Sequence, residues 1–420
     1  VKNSLTILLL LITIFSAISL AVTITIAPPD AQSFNFLQSV IPNFEKETPG
    51  IKVEVVAQPE GSQIAALVAA GNAPNIFIGP LPIKYVQDGL LLNFKKMPGY
   101  DELASKLISG IFPYNNGVYN IPWMVTTQVM FYNKKLFEKA GLNPNKPPET
   151  FAQFLEDAKK ISELPPGNYA PGKHGKYYGT FFWNEMLQYA WYWGMLDQIY
   201  MNFNDAKYGL LGPYGLTLAF KQPDAHFVDF LEFCKRAQQY GPSGMQQASI
   251  FSRNVGMWLQ FAYGWTFNLK SSLGGPMIYG KDYGLAPIPT PKSGMTHWST
   301  LAQRPFIVFK TTPEKDMASW KLIQFLMKPR NELRACEEIG WLTSLKSLRD
   351  DPFFSRPDVK PYVDQLSHVV VTNPFITNEG VVHAVLNAWA QYVVNGTIPT
   401  AKQALQIAVK NAQAALKLGL

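Results

Sequence analysis

The chain has 420 residues, with 37 Lys and Arg against 30 Asp and Glu, a formal net charge of +7. Hydrophobic residues make up 47% and charged residues 16%, which excludes a disordered or fibrous chain; at roughly 150 residues per domain the length implies two or three domains. Two cysteines, Cys234 and Cys336, exclude a disulfide-dense scaffold and leave their pairing open, and basic runs of at most two residues argue against a nucleic-acid or polybasic membrane partner.

From the N-terminus, the next charge after Lys2 is Asp30, and an apolar run extends from Leu5 to Val22. With Ser19-Leu20-Ala21 after it, residues 1–21 read as a secretory signal cut after Ala21. An uncleaved signal anchor is the competing reading, since about 20 apolar residues span a bilayer. Either places the protein outside the cytoplasm, with membrane contact only through this segment. The sequon Asn395-Gly396-Thr397 is compatible with that address.

Val22 to Ala27 alternates as a strand and stops at Pro28-Pro29. Phe34, Leu37, Ile41 and Phe44 recur at helical spacing until Thr48-Pro49-Gly50. Ile51 to Val56 is a second strand, Gln63 to Ala70 a helix closed by Gly71, and Asn75 to Ile78 a third strand. This β-α-β-α-β order predicts a parallel sheet with ligands beyond the carboxyl ends of its strands. Those ends are Pro28 to Gln32, Gln58 to Ser62, and Gly79 to Pro82. From Phe131 to Gly275 the patterns are helical with few strand signals. Strands return at Tyr283 to Ile288 and Pro305 to Lys310, and a helix runs from Thr400. Two globular lobes joined by crossing strands fit this order.

No catalytic signature emerges. The five histidines are scattered without ligand spacing, so no metal is expected. There is no Walker loop, G-x-G-x-x-G or G-x-S-x-G elbow, and no other cofactor motif. The notable feature is aromatic: 10 Trp, 19 Tyr and 27 Phe. Trp183, Tyr189, Trp191, Tyr192 and Trp193 form one group and Trp258, Phe261, Tyr263, Trp265 and Phe267 another, while Trp123, Trp298 and Trp341 stand singly near turns. Most such rings are core. A Trp beside Gly or Pro at an element end instead offers a flat face to a sugar ring, with Asp, Glu, Asn or Gln for the hydroxyls.

A family resemblance joins these features. Asn43 to Val53, Ala69 to Ile76, Gly117 to Pro122, Phe131-Tyr132-Asn133-Lys134-Lys135-Leu136-Phe137, Ala140-Gly141-Leu142, Pro147 to Phe151, Tyr283 to Pro289, Ala318 to Lys321 and Gly340 to Ser344 follow one another in a known order. In that order the chain resembles the extracellular solute-binding proteins of sugar-type ABC importers, the group containing maltose-binding protein. Departures are Gly256, where the family usually has Ala, and Gln303-Arg304, where a glycine pair is common.

The resemblance implies an α/β, two-lobed periplasmic-binding-protein fold with three crossing hinge segments, near Thr126–Gln128, Leu285–Pro287 and Met327–Pro329. Lobe one would be 22–127 with 286–327, and lobe two 128–285 with 328–420. It implies a small-molecule ligand, a neutral sugar, contacted by Asp30, Gln32, Gln58, Glu60, Thr126, Thr127, Trp183, Glu185, Trp265, Trp341 and Asn378. Trp265, in Tyr263-Gly264-Trp265, carries the stronger ligand reading; Trp341 and Asn378 the weaker, because loop lengths vary there. The implied partner is the permease of an ABC transporter, with the receptor acting as a monomer. The predicted cleft segments are poor in Arg, which favours a neutral ligand over an anion. A peptide, a polyamine, or a secreted carbohydrate-active enzyme are the alternatives.

Overall fold

The computed structural model describes residues 21–59, 62–182, 184–188, 193–211, 217–242, 250–371, 373, 375–376 and 379–418. In chain order its principal strands are β1 (Val22–Ala27), β2 (Ile51–Val55), β3 (Ile76–Ile78), β4 (Ile121–Thr126), β5 (Gln128–Asn133), β6 (Tyr178–Thr180), β7 (Val255–Ala262), β8 (Tyr283–Ala286), β9 (Ser299–Val308), β10 (Leu342–Thr343) and β11 (Val369–Val371). The main helices are α1 (Ala31–Glu47), α2 (Ser62–Ala69), α3 (Phe151–Ser162), α4 (Trp193–Phe203), α5 (Phe227–Gln238), α6 (Trp265–Leu269), α7 (Pro313–Leu326), α8 (Pro329–Ile339), α9 (Glu379–Trp389) and α10 (Ala401–Leu418).

Two sheets organise the described residues. The larger runs β10-β4-β9-β3-β1-β2, with β11 beside β9; the smaller runs β6-β7-β5-β8. In the larger sheet β1 lies between β2 and β3, all parallel, and β9 pairs antiparallel with both β3 and β4. This is the predicted β-α-β-α-β start. Asp30 caps α1 by accepting the Ser33 N–H at 2.8 Å, and Phe36, Leu37, Val40, Ile41 and Phe44 bury one face of the helix at three- and four-residue spacing.

The middle of the chain is richer in strand than its sequence pattern. All six residues of β4, all six of β5 and seven of eight in β7 are buried. Strands covered on both faces lose the apolar–polar alternation by which a strand is recognised. Trp258 and Phe261 therefore belong to a buried strand, and Trp123 stands in mid-β4 rather than near a turn. The Trp123 ring is fully buried between Phe36 and Phe306, with centroids 5.8 and 5.1 Å away, and so locks α1 to the sheet.

The chain passes from one sheet to the other at two places. β4 ends at Thr126 and β5 begins at Gln128, leaving Thr127 alone between them. β8 ends at Ala286, and the chain next enters the larger sheet as β9. The boundary expected at Met327–Pro329 coincides with no change of sheet. There α7 ends, Lys328 turns the chain, and Pro329 starts α8 in the position where a missing N–H costs nothing. A proline-started second helix breaks the pattern as a crossing would. Beyond it α8 packs on α1, β10 pairs with β4, β11 with β9, and Phe375–Ile376 with Leu81–Pro82. The helix Lys360–Gln365 then packs on β5, with Tyr362 against Tyr263, and α9 and α10 pack on each other and, through α10, on α5 of the smaller-sheet lobe. Cys234 in α5 and Cys336 in α8 are buried free thiols.

Candidate functional site

The carboxyl ends of the first three strands are level, because Ile26 faces both Val55 and Ile76. Gln58 ties them together: its Nε2 donates to the carbonyls of Ala27 at 3.3 Å and Ile78 at 2.8 Å. The turn after β3 needs Gly79, whose φ is +147°; a Cβ there would lie 3.3 Å from the Phe77 ring and 3.7 Å from Gln58 Nε2. Asp30 and Gln32 stand just beyond these ends, Gln32 exposed in the first turn of α1.

Asp30 divides its carboxylate. Oδ1 caps α1 through the Ser33 N–H, and Oδ2 pairs with Arg304 Nη2. Arg304 Nη1 also donates to the Ser33 hydroxyl at 2.5 Å. Arg304 arrives here through a break in the ladder. It faces Met124 across the sheet while Pro305 faces Pro122, so Trp123 is left over on β4. Proline has no N–H for a central ladder, and a bulge at such a point bends the strand and re-aims its side chains. Burial pulls the guanidinium below its ordinary value, and Asp30 pushes it back up. The site therefore holds an arginine that the sequence reading did not place in it. The available signal was the replacement of a glycine pair by Gln303-Arg304.

The guanidinium of Arg304 lies over the half-buried Trp341 ring, 4.4 Å from its centroid. Trp341 follows Gly340, the left-handed C-cap of α8 with φ +81°. Here the two lobes touch. A Cβ on Gly264 would sit 3.5 Å from the Gly340 carbonyl and 4.0 Å from Trp341 Nε1. Gly264 is the residue before Trp265, which opens α6 after β7. Trp265 is half-buried, 5.7 Å from Trp258 and 6.3 Å from Phe251 between centroids. Asp30, Trp341 and the Tyr263-Gly264-Trp265 element are thus brought to one junction, with Arg304 as the link.

The remaining described candidates have other hydrogen-bond partners. Thr126 and Thr127 are buried in the first crossing; Thr126 Oγ1 donates to the Thr127 carbonyl at 3.1 Å and Thr127 Oγ1 to the Tyr362 carbonyl at 2.7 Å. Beside them the Gln128 N–H donates to Ser299 Oγ at 2.9 Å, and Gln198 Nε2 donates to Gln128 Oε1 at 2.5 Å. A polar network therefore stitches β5 to β9 and α4 at the hinge. Glu185 is half-buried in the short 3-10 helix Asn184–Gln188. Glu60, Trp183 and Asn378 lie outside the described residues.

One buried acid supports the loop that carries Trp341. Glu332 Oε1 accepts from Thr343 Oγ1 at 2.7 Å, the Ser344 N–H at 2.6 Å and Ser344 Oγ at 3.1 Å. Burial pushes this carboxyl up to about 7, against the pull of those donors. Among the described residues no group of three His, Cys, Asp or Glu could hold a metal ion, and no helix is long and apolar enough to cross a membrane. The junction thus gathers a paired Asp30 and Arg304 with the half-buried indoles of Trp341 and Trp265.

Comparison with known proteins gives the family and the fold. A family model described as bacterial extracellular solute-binding protein matches residues 28–332. A binding protein of Brucella abortus (strain 2308) is 31% identical over 181 residues, 40% of this chain; the match spans only 43% of that relative's length. The galactooligosaccharide-binding protein of Bacillus subtilis (strain 168) is 22% identical over 92% of this chain and 88% of its own. The crystal structure of a cyclic alpha-maltosyl-1,6-maltose binding protein from Arthrobacter globiformis superposes with a TM-score of 0.76 at 17% identity, over 94% of this chain and 99% of that one, which shows the two-lobed fold.

Proposed function

The chain belongs to the bacterial extracellular solute-binding proteins, and on that premise we propose that it is the extracytoplasmic receptor of an ABC importer, capturing a neutral carbohydrate between its lobes. The observation that carries the reading is the meeting of Asp30, Arg304, Trp341 and the Gly264-Trp265 element where the lobes touch. Sugars need flat indole for their C–H faces and fixed polar groups for their hydroxyls. Asp30 cancels the charge of Arg304, so the pair favours a hydroxyl-rich ligand over an anion or a polyamine. The oligosaccharide-binding relatives support the same class.

Capture proceeds by closure. A ligand resting on Asp30, Gln32 and the strand ends of one lobe gains Trp265 and Glu185 of the other when the hinge rotates. Gln58, Thr126 and Thr127, whose polar groups are engaged with backbone carbonyls, position the site more than they touch ligand; Glu60, Trp183 and Asn378 complete the proposed ligand set. The closed form is then read by the permease, with the protein a monomer, secreted or tethered by its N-terminal segment.

A thermal-shift screen against mono- and oligosaccharides, followed by titration calorimetry and product analysis, tests this. A raised melting temperature with stoichiometric binding and no turnover is the expected result. Turnover would make the protein an enzyme. A shift with peptides or polyamines alone would replace the ligand class, and no shift with any solute would remove the receptor reading.

A further inference from the structure

We infer that Arg304 sets the length of the ligand by occupying the aromatic platform of Trp341. This rests on the carbohydrate reading above and adds a limit to it. A guanidinium is planar and delocalised and stacks on an indole face in the way a sugar ring does. In this protein that face is taken: the Arg304 carbon lies 4.4 Å from the Trp341 ring centroid. The arginine is also fastened at its other end, to Asp30 and to Ser33, and its side chain is only 13% exposed. Lifting it from the indole would uncover the ring and strip a buried cation of its place, so a sugar does not displace it cheaply. The bulge at Arg304-Pro305 delivers the side chain to this spot from a strand paired there with β4 and, from Phe306 on, with β3 as well.

The ring also lies close to the opposite lobe: a Cβ on Gly264 would be 4.0 Å from its Nε1, an ordinary contact distance, and the preceding Gly340 is packed against Phe267. With that face taken, the inferred cleft ends at Arg304, and the inferred ligand is a short saccharide of one or two rings seated toward Trp265. A longer chain would meet the Arg304 wall.

The test uses the full chain and glucose, galactose and xylose oligosaccharides of one to six rings, α- and β-linked, by titration calorimetry. In the wild type affinity stops improving beyond two rings. Arg304→Ala uncovers the platform, and the affinity of three-ring relative to one-ring ligands rises by about fivefold, the worth of one added ring contact, whatever affinity all of them lose with the Asp30 partner. Arg304→Lys keeps a charge opposite Asp30 but has no planar fork, so it shows the same gain if the alanine variant fails to fold. Acrylamide quenching, with Trp341→Phe used to isolate that indole, rises in both arginine variants. A wild type whose affinity keeps climbing with ring number, or variants with unchanged length profile and quenching, overturns the inference alone. A wild type that binds no member of the series overturns the carbohydrate reading, and this inference with it.

Discussion

Gly340 and Phe267 meet across the junction of the lobes with no space between them. A Cβ on Gly340 would overlap the Phe267 ring and come within 3.2 Å of the Gly264 Cα. The same glycine ends α8 with φ +81°, its N–H donating to the Cys336 carbonyl at 3.0 Å. Gly340→Ala therefore pays twice, about 1 kcal/mol for the left-handed backbone and about 1–3 kcal/mol for overpacking. Gly50 separates the two costs, since its φ is +93° and nothing lies within 4 Å of its Cβ position. Gly50→Ala should lose only the backbone part. Urea unfolding of both variants reads the difference; equal losses would mean that the lobes part freely at Gly340.

The sequence reached the frame of this molecule more readily than its centre. The three parallel strands and α1 were legible because half-buried elements keep their periodicity: Phe36, Val40 and Phe44 mark the covered face of α1. β7 was not, because Val255 to Phe261 are buried on both sides and carry no alternation. From Met327 to Pro329 the chain turns from helix to helix, and proline punctuates such a turn and a crossing equally well. At the site, Asp30 and Trp265 stood out by position, at a strand end and beside a glycine. Arg304 did not, because its place depends on a register shift against β4 that only the paired strands reveal.

Asp30 is expected to matter to folding as well as to ligand. Removing its side chain loses the cap of α1, about 1 kcal/mol, and leaves the largely buried Arg304 guanidinium without its carboxylate, which raises the total to about 3–5 kcal/mol. Asp30→Asn keeps the capping oxygen and should recover the first part only. Chemical denaturation should rank the chain wild type, then Asn, then Ala. Near-equal stability of all three would mean that the ion pair is solvated in solution and that Arg304 holds its place without it.

Glu332 and Asp197 should make stability fall with rising pH. Burial pushes both carboxyls up to about 7, with opposing hydrogen bonds from Thr343 and Ser344 to the first and from Trp193 to the second. A carboxyl whose folded value is raised favours the protonated folded state. Its contribution is whole below the unfolded value and is lost as pH climbs through the folded one. For Glu332 the window is from 4.5 to about 7, and the loss across it is about 3 kcal/mol. Glu332→Gln should flatten its part of the slope between those limits, and Asp197→Asn the other part. Melting temperatures taken at half-unit steps of pH check this, and an unchanged slope in both variants would refute it.

Trp265 is the residue on which the ligand reading leans hardest, and its neighbours complicate the obvious experiment. The indole opens α6 and packs 5.7 Å from Trp258, a fully buried ring on β7. Trp265→Ala removes a proposed stacking face but also uncovers part of Trp258, so stability and affinity both move. Trp265→Phe keeps apolar cover over Trp258 while shrinking the face offered to ligand. If Trp265 contacts the ligand, calorimetry with the saccharide found by screening should show a loss of about 1–3 kcal/mol for Ala and an intermediate loss for Phe. The stability of the Phe variant should stay near wild type. If Trp265 serves only as cover for the core, the Phe variant would restore affinity and stability together, and the ligand face would have to be sought elsewhere along the junction.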